Sequence, residues 1–290
     1  MPLIRLATRA SAQARTQAQA VAAALRAIDP AVETELVLVE TTGDRRSDVP
    51  LHTIGGQGVF VKEVQLAVLD GRADAAVHSA KDLPSSPTEG LEIGAFTERR
   101  NAADALVGSS LSGLAPGATV ATGSVRRRAQ LAAVRPDLEL VELRGNIHTR
   151  LSKIPDGGAI VMAVAALEVL GLVERIGEVL DPATFVPAVG QGCVALEHRA
   201  GDAATSSSLA AIDHRATRDA LEIERAFLAE LGGGCSLPVG AHVSGSSLHA
   251  FLAHTDAGAI EHRTIDVEAG ASGRADACRL ARAMLAAAGG

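Results

Sequence analysis

At 290 residues and 47% apolar content, the chain is long enough for about two domains, or three small ones, each with a buried core. No apolar run reaches the roughly 18 residues that span a membrane, and Met1-Pro-Leu-Ile-Arg-Leu-Ala-Thr8 lacks the basic, apolar and cleavage regions of a leader, so a cytoplasmic protein is expected. A net charge of −7, 2% aromatic residues and the absence of Trp and Tyr argue against nucleic acid, which would meet no general positive field and few rings to stack on.

The predicted elements open with a β-α-β unit. Leu3 to Ala7 is a short apolar strand, Gln13 to Ile28 an Ala-rich helix ended by Asp29-Pro30, and Val32 to Val39 a second strand. Ligands gather at the carboxyl ends of such strands, where Arg9 and Ser11 stand; ordinary helix capping and surface charge account for them equally well. Thr41 to Gly58 is a Gly-rich loop long enough for a lid, and it matches neither a dinucleotide nor a Walker fingerprint. Val59 to Leu69 reads as a helix. The buried strand Ala73 to Val77 then delivers Ser79, Lys81 and Asp82 on one turn fixed by Pro84. Lys81 beside Asp82 is either a surface ion pair or an acid–base and cation-stabilising pair.

A second unit starts at the polar residues 98–104. Thr119 to Thr122 is a strand, and Val125 to Val134 a helix with Arg126 and Arg127 in its first turn, a place suited to an anion. Leu138 to Leu143 is a strand ending at Arg144, Ala159 to Ala163 another, and Ala165 to Leu170 a helix ended by Gly171. The arginines from Arg126 to Arg150 form either a solvated face or a grip for small carboxylates, which guanidinium binds in a two-point fork. Residues 186–192 cross back to a strand from Val194 to Glu197. The expected organisation is therefore 1–97 with 193–213 as one lobe, 98–192 as a second, and 214–290 as a C-terminal domain. That last part reads as a helix from Thr217 to Leu231, strands at 239–244, 247–254 and 259–267, and a helix at 273–287. Between its first helix and first strand lies Leu231-Gly-Gly-Gly-Cys-Ser-Leu-Pro-Val-Gly240. The glycines display Cys235 on a turn, although a lone Cys is also often a small packed hydrophobe. Three widely spaced cysteines with no CxxC pair predict neither disulfides nor a metal site, and Cys193 and Cys278 read as packed positions in regular elements.

Taken together, these segments resemble the porphobilinogen deaminase family. The likeness runs through Ala7-Thr-Arg9, Gly55-Gly-x-Gly-x-Phe-Val-Lys62, Ala73-Asp-x-Ala-Val-His-Ser-x-Lys-Asp82, Ser124-x-Arg-Arg127, Leu143-Arg-Gly-Asn146, Pro187-Ala-Val-Gly-Gln-Gly192 and Gly233-Gly-Cys-x-x-Pro238. It implies an α/β fold of two lobes like type II periplasmic binding proteins, with a smaller α/β domain bearing the cofactor cysteine. It implies a cytoplasmic, monomeric transferase that condenses four porphobilinogen units on a dipyrromethane primer and releases the linear tetrapyrrole by hydrolysis. Cys235 would carry the dipyrromethane through a thioether, and Asp82 would hold the pyrrole nitrogens and stabilise the cation formed as ammonia leaves. Lys81, Thr122, Ser124, Arg126 and Arg127 would bind the cofactor's acetates and propionates. Arg9, Ser11, Phe60, Arg144 and Arg150 would face the incoming pyrrole, and Ser79 and Gln191 are placed with them.

The chain departs from the family's pattern at Thr53 and Gln57, where lysines are usual, at Val169, where an arginine is usual, and at Gly123, where a serine is usual. Those departures define two alternatives: a paralogue working on a modified pyrrole or elongating poorly, and a non-catalytic small-anion binder built on the same lobes.

Overall fold

The computed structural model describes residues 3–45, 58–232, 237–254 and 259–287; the expectations at Thr53, Gln57 and Cys235 lie outside them. Strand β1 (Leu3–Arg9) leads into helix α1 (Ala12–Ile28), whose Ser11 cap accepts the Ala14 N–H at 3.3 Å. The α1 stripe of Ala18, Val21, Ala22 and Leu25 packs on Ile4 and Leu6 of β1. Each fully buried Val, Leu or Ile side chain there stabilises by about 1.5–3 kcal/mol. β2 (Glu33–Val39) follows, then a one-turn helix α2 (Thr42–Arg45), α3 (Lys62–Leu69), β3 (Ala75–Ser79), a 3-10 turn over Ala80–Asp82, and β4 (Leu91–Phe96).

The chain then crosses into β5 (Asp104–Val107), β6 (Thr119–Ala121), α4 (Val125–Val134), β7 (Glu139–Val141), α5 (Ile147–Leu151), β8 (Ala159–Ala163), α6 (Val164–Val169) and β9 (Ile176–Val179). It returns through β10 (Val194–Arg199), α7 (Ala203–Ala210) and α8 (Arg215–Glu230). The carboxy-terminal part is β11 (Val239–Ser244), β12 (Ser247–Ala253), β13 (Ile260–Asp266) and α9 (Ala271–Ala286).

Two five-stranded sheets repeat one plan. The first runs β2-β1-β3-β10-β4 and the second β7-β6-β8-β5-β9. In each, the first three strands of a β-α-β series pair in parallel, Leu6 opposite Leu36 in one and Val120 opposite Leu140 in the other. In each, the fourth position is an antiparallel strand that arrives directly from a crossing: Leu196 of β10 faces Val77, and Leu106 of β5 faces Val161. The two-lobed α/β architecture expected from the sequence is the one observed. A third, antiparallel sheet, β11-β12-β13, is covered by α8 and α9 through Ile223, Phe227, Ala277 and Met284. Strands β4, β5 and β9 and helices α5 and α7 were not anticipated, and Cys193 lies just before β10 rather than within an element.

Both crossings are pinned at one point. Glu224 on α8, fully buried, accepts from both Nη groups of Arg99, from the Gly190 N–H at 2.9 Å and from the Val243 N–H at 2.8 Å. Burial opposes ionisation there, but Arg99 and His242 hold the carboxyl down to about 2. Gly190 sits at φ +73°, and a Cβ on it would come within 3.0–3.1 Å of Ala80 and the Lys81 nitrogen. Only glycine lets the returning chain lie flat on the turn that carries Lys81 and Asp82.

Candidate active site

A cleft of about 750 Å³ runs along the carboxyl ends of the first-sheet and second-sheet strands, within the roughly 300–1,000 Å³ range of small-molecule sites. Of the residues singled out from the sequence, Arg9, Ser11, Phe60, Ser79, Lys81 and Asp82 line it from the first sheet's side. Ser124, Arg126, Arg127, Arg144 and Arg150 line it from the second, with Gln191 from the returning crossing. Thr122 is buried and absent from the wall; its hydroxyl accepts the Ser124 N–H at 3.3 Å and so shapes the turn behind it.

The two walls differ in charge. From the second sheet come Arg126, Arg127, Arg144, Arg150 and Lys153, with no carboxylate beside them on that wall among the described residues. From the first come Arg9 and Lys81 together with Glu40, Asp44 and Asp82. Burial and the neighbouring charges of Arg127 and Arg144 push Arg150 down to about 10, while Asp82 opposes that shift. Like charges gathered this closely are uncomfortable alone and favour a multiply anionic ligand. Asp82 accepts no hydrogen bond from the described residues, so its carboxylate is available to a ligand N–H.

Arg126 and Arg127 are held in a way the sequence did not show. Ser124 caps α4, as its position before the helix predicts, and both arginines then turn inward onto Asp104. Asp104 is fully buried; Arg126 Nη2 stands 2.8 Å from its Oδ2, and Arg127 donates to its Oδ1 from Nη2 at 2.6 Å and Nε at 3.1 Å. Arg126 also donates to the Val186 carbonyl at 2.6 Å and Arg127 to that of Val161 at 2.9 Å. Burial would raise the Asp104 carboxyl, yet the two guanidiniums hold it far below the usual carboxylate range. The anion expected at the start of this helix is therefore, in the first instance, an internal one.

Gln191 joins the two walls. Its Nε2 donates to the Ala102 carbonyl at 2.7 Å and to Asp104 at 2.9 Å, and its Oε1 accepts from Lys81 Nζ at 3.4 Å. Burial, followed by the charge of Arg127, lowers the Lys81 ammonium to about 8. Ser79 donates to Gln17 at 3.2 Å, and Arg150 Nε donates to the Gly145 carbonyl at 2.8 Å. Val169 lies off the cleft, in a small cavity of about 40 Å³ behind Ala166 and Gln191.

Asp104, buried behind the wall, and on the wall Asp44 and the apolar strip of Val189, Leu228, Leu237 and Val239 are site features that sequence reasoning missed. Leu237 alone carried a signal, two residues beyond Cys235. That strip brings the third sheet's edge to the cleft, giving a flat, anionic organic group an apolar surface, facing cations and the Asp82 carboxylate. A group tethered beside Leu237 fits this donor set. Among the described residues, no three His, Cys, Asp or Glu side chains are grouped to hold a metal ion, and no helix is long and apolar enough to cross a membrane.

Comparison with known proteins places the chain against two family models: "Porphobilinogen deaminase, dipyromethane cofactor binding domain" over residues 4–207, and "Porphobilinogen deaminase, C-terminal domain" over residues 219–286. A porphobilinogen deaminase of Nitratidesulfovibrio vulgaris (strain DSM 19637 / Miyazaki F) is 47% identical over 247 residues, covering 83% of this chain and 78% of that one. One of Xanthomonas oryzae pv. oryzae (strain PXO99A) is 47% identical over 274 residues, covering 93% and 90%. Among solved structures, the methionine binding protein MetQ aligns over 74% of this chain and 92% of its own, at 15% identity and a TM-score of 0.47.

Proposed function

The chain belongs to the porphobilinogen deaminase family, and from that premise we propose how its own cleft performs the family's reaction. The activity is that of hydroxymethylbilane synthase, a transferase of porphyrin biosynthesis: four porphobilinogen units are joined head to tail with loss of ammonia on a dipyrromethane cofactor, and water releases the linear tetrapyrrole. The observation that carries the assignment of roles is the pairing of a cationic wall with Asp82, a carboxylate that accepts no hydrogen bond from the described residues.

When bound, the dipyrromethane supplies the nucleophilic pyrrole carbon from which the chain grows. Cys235 would attach it, and Lys81, Ser124, Arg126 and Arg127 would hold its carboxylates, with Thr122 shaping the turn beneath Ser124. The apolar strip of Val189, Leu228, Leu237 and Val239 would give its rings an apolar surface. Asp82 accepts the pyrrole N–H groups and offsets the positive charge that develops as the substrate's ammonia leaves. A fixed carboxylate opposite developing charge is worth several kcal/mol in a site shielded from water. Arg9, Arg144 and Arg150 grip the substrate carboxylates, Phe60, Ser11 and Ser79 complete that wall, and Gln191 keeps Lys81 aligned with Asp104. The lobes correspond to 1–97 with 193–213 and to 98–192, and the cofactor-bearing domain to 214–290. The protein works as a cytoplasmic monomer; that it binds no nucleic acid is supported by its charge of −7 and its few aromatic rings.

The test is the intact mass of the purified chain, followed by incubation with porphobilinogen. The expected result is a two-pyrrole addition that is absent from Cys235→Ser, and uroporphyrin in the medium after oxidation. An unmodified wild type from a host that makes porphobilinogen would sink the Cys235 assignment. A ladder of enzyme-bound pyrroles without release would instead mark a chain that elongates poorly.

A further inference from the structure

The surroundings of Arg9 are more elaborate than a cleft-edge arginine requires. Its Nε donates to Asp44 Oδ2 at 3.2 Å and its Nη2 to Asp44 Oδ1, a two-point fork that fixes the guanidinium in its plane. The Phe60 ring lies over that plane with the guanidinium carbon 4.1 Å from its centroid. The fork is held from behind as well. The fully buried Thr41 donates to Asp44 Oδ2 from its hydroxyl at 2.7 Å and from its N–H at 3.3 Å. Gly43 makes room for the stack, since a Cβ there would fall inside the Phe60 ring, and its N–H donates to the Val59 carbonyl at 3.1 Å.

One whole edge of the guanidinium is left over. Among the described residues Arg9 Nη1 makes no hydrogen bond, and Arg9 lines the cleft. Asp44, Phe60 and Gly43 line it too. A free arginine would cost rotamer entropy on binding and could present any of its edges. This one is already ordered, half neutralised, and limited to the edge where Nη1 and the second N–H of Nη2 point outward.

We propose that Asp44 is a positioning residue: with Thr41 and Phe60 it clamps one edge of Arg9 so that the remaining Nη1–Nη2 edge meets a carboxylate of the incoming pyrrole. The inference rests on the assignment of Arg9 to the substrate wall. It adds that recognition at this point depends on a residue one turn beyond β2 that itself touches no substrate. Because the ion pair is also partly exposed, it contributes little to stability, and its loss shows in binding rather than in folding.

The test uses the holo-protein. Porphobilinogen is added at rising concentration, and the fraction of chains carrying one further pyrrole is read by intact mass. Asp44→Ala should raise the half-loading concentration about tenfold, and Asp44→Asn, which keeps one acceptor, about threefold. In an Arg9→Ala background the same Asp44→Ala change should add less than about twofold, since its target is gone. Thr41→Val leaves the charge in place but releases the carboxylate, and should raise half-loading about threefold. Values within about twofold of wild type for both Asp44→Ala and Thr41→Val would overturn the proposal, and so would a full additive effect in the Arg9→Ala background. A wild-type holo-protein that takes up no porphobilinogen would count against the family's reaction instead, and is told apart by that control.

Discussion

Replacing Asp104, buried behind the cleft wall, by Asn should cost more stability than a conservative change at the cleft surface. The substitution keeps shape and one acceptor but removes the charge shared by two buried guanidiniums, whose Nη2 atoms stand 2.8 and 2.6 Å from it. Arg126 and Arg127 keep their carbonyl acceptors at Val186 and Val161, which offsets part of the loss. Breaking one side of a buried ion pair costs about 3–5 kcal/mol. At about 2–4 °C per kcal/mol for a chain of this size, the unfolding midpoint should fall by about 10 °C. With neither Trp nor Tyr in the sequence, unfolding is best followed by far-UV circular dichroism or calorimetry. The pH dependence supplies a second readout. Asp104 ionises far below its unfolded value, so its contribution is complete above about pH 4 and is lost as pH falls through the lower folded value. The wild type should therefore lose more stability than Asp104→Asn on acidification from pH 5 to about 3. A midpoint within about 2 °C of wild type at pH 7 would refute the claim that one carboxylate organises this wall.

Asp82→Asn should fold and keep its cofactor mass, yet lose at least about a hundredfold in turnover, measured as uroporphyrin formed per minute. Because burial and Arg127 lower Lys81 to about 8, retention of a carboxylate ligand should weaken as pH rises past that value, and Lys81→Arg, which stays charged, should flatten the profile in equilibrium binding. Burial pushes the Cys193 thiol up to about 12, so it should resist alkylation of the native protein at pH 8 and react only on unfolding, as followed by peptide mass.

Much of the architecture was legible because it rests on local pattern. The capping Ser124 before α4, the apolar step of Ile223 and Phe227 along α8, and the turn after β3 all declare themselves within a few residues. The short strands did not. In Asp104–Val107 the apolar run is only three residues long, too short for a period to register, and it becomes a central strand only because β8 and β9 arrive on either side. Asp104 itself stands in an unremarked Ala-Ala-Asp-Ala stretch, 22 and 23 positions from the arginines it binds. The same holds for Asp44, whose partner lies 35 residues away. Cations announce a site by clustering in sequence; the carboxylates that hold them in place are brought there by folding.

The position of β10 in the first sheet has a consequence for synthesis. It separates β3 from β4, pairing Leu196 with Val77 on one side and with Ala95 on the other. While the chain is emerging from the ribosome at about 5–20 residues per second, the first 96 residues hold four strands whose sheet has a vacant lane. All five strands of the second sheet, by contrast, lie between Asp104 and Val179 and can assemble as soon as they are made. The amino-terminal lobe, though translated first, is therefore completed second, and β4 waits through about a hundred residues as an unpaired edge exposed to other chains. Released chains truncated near residue 190 should consequently protect the second sheet from protease but not the first.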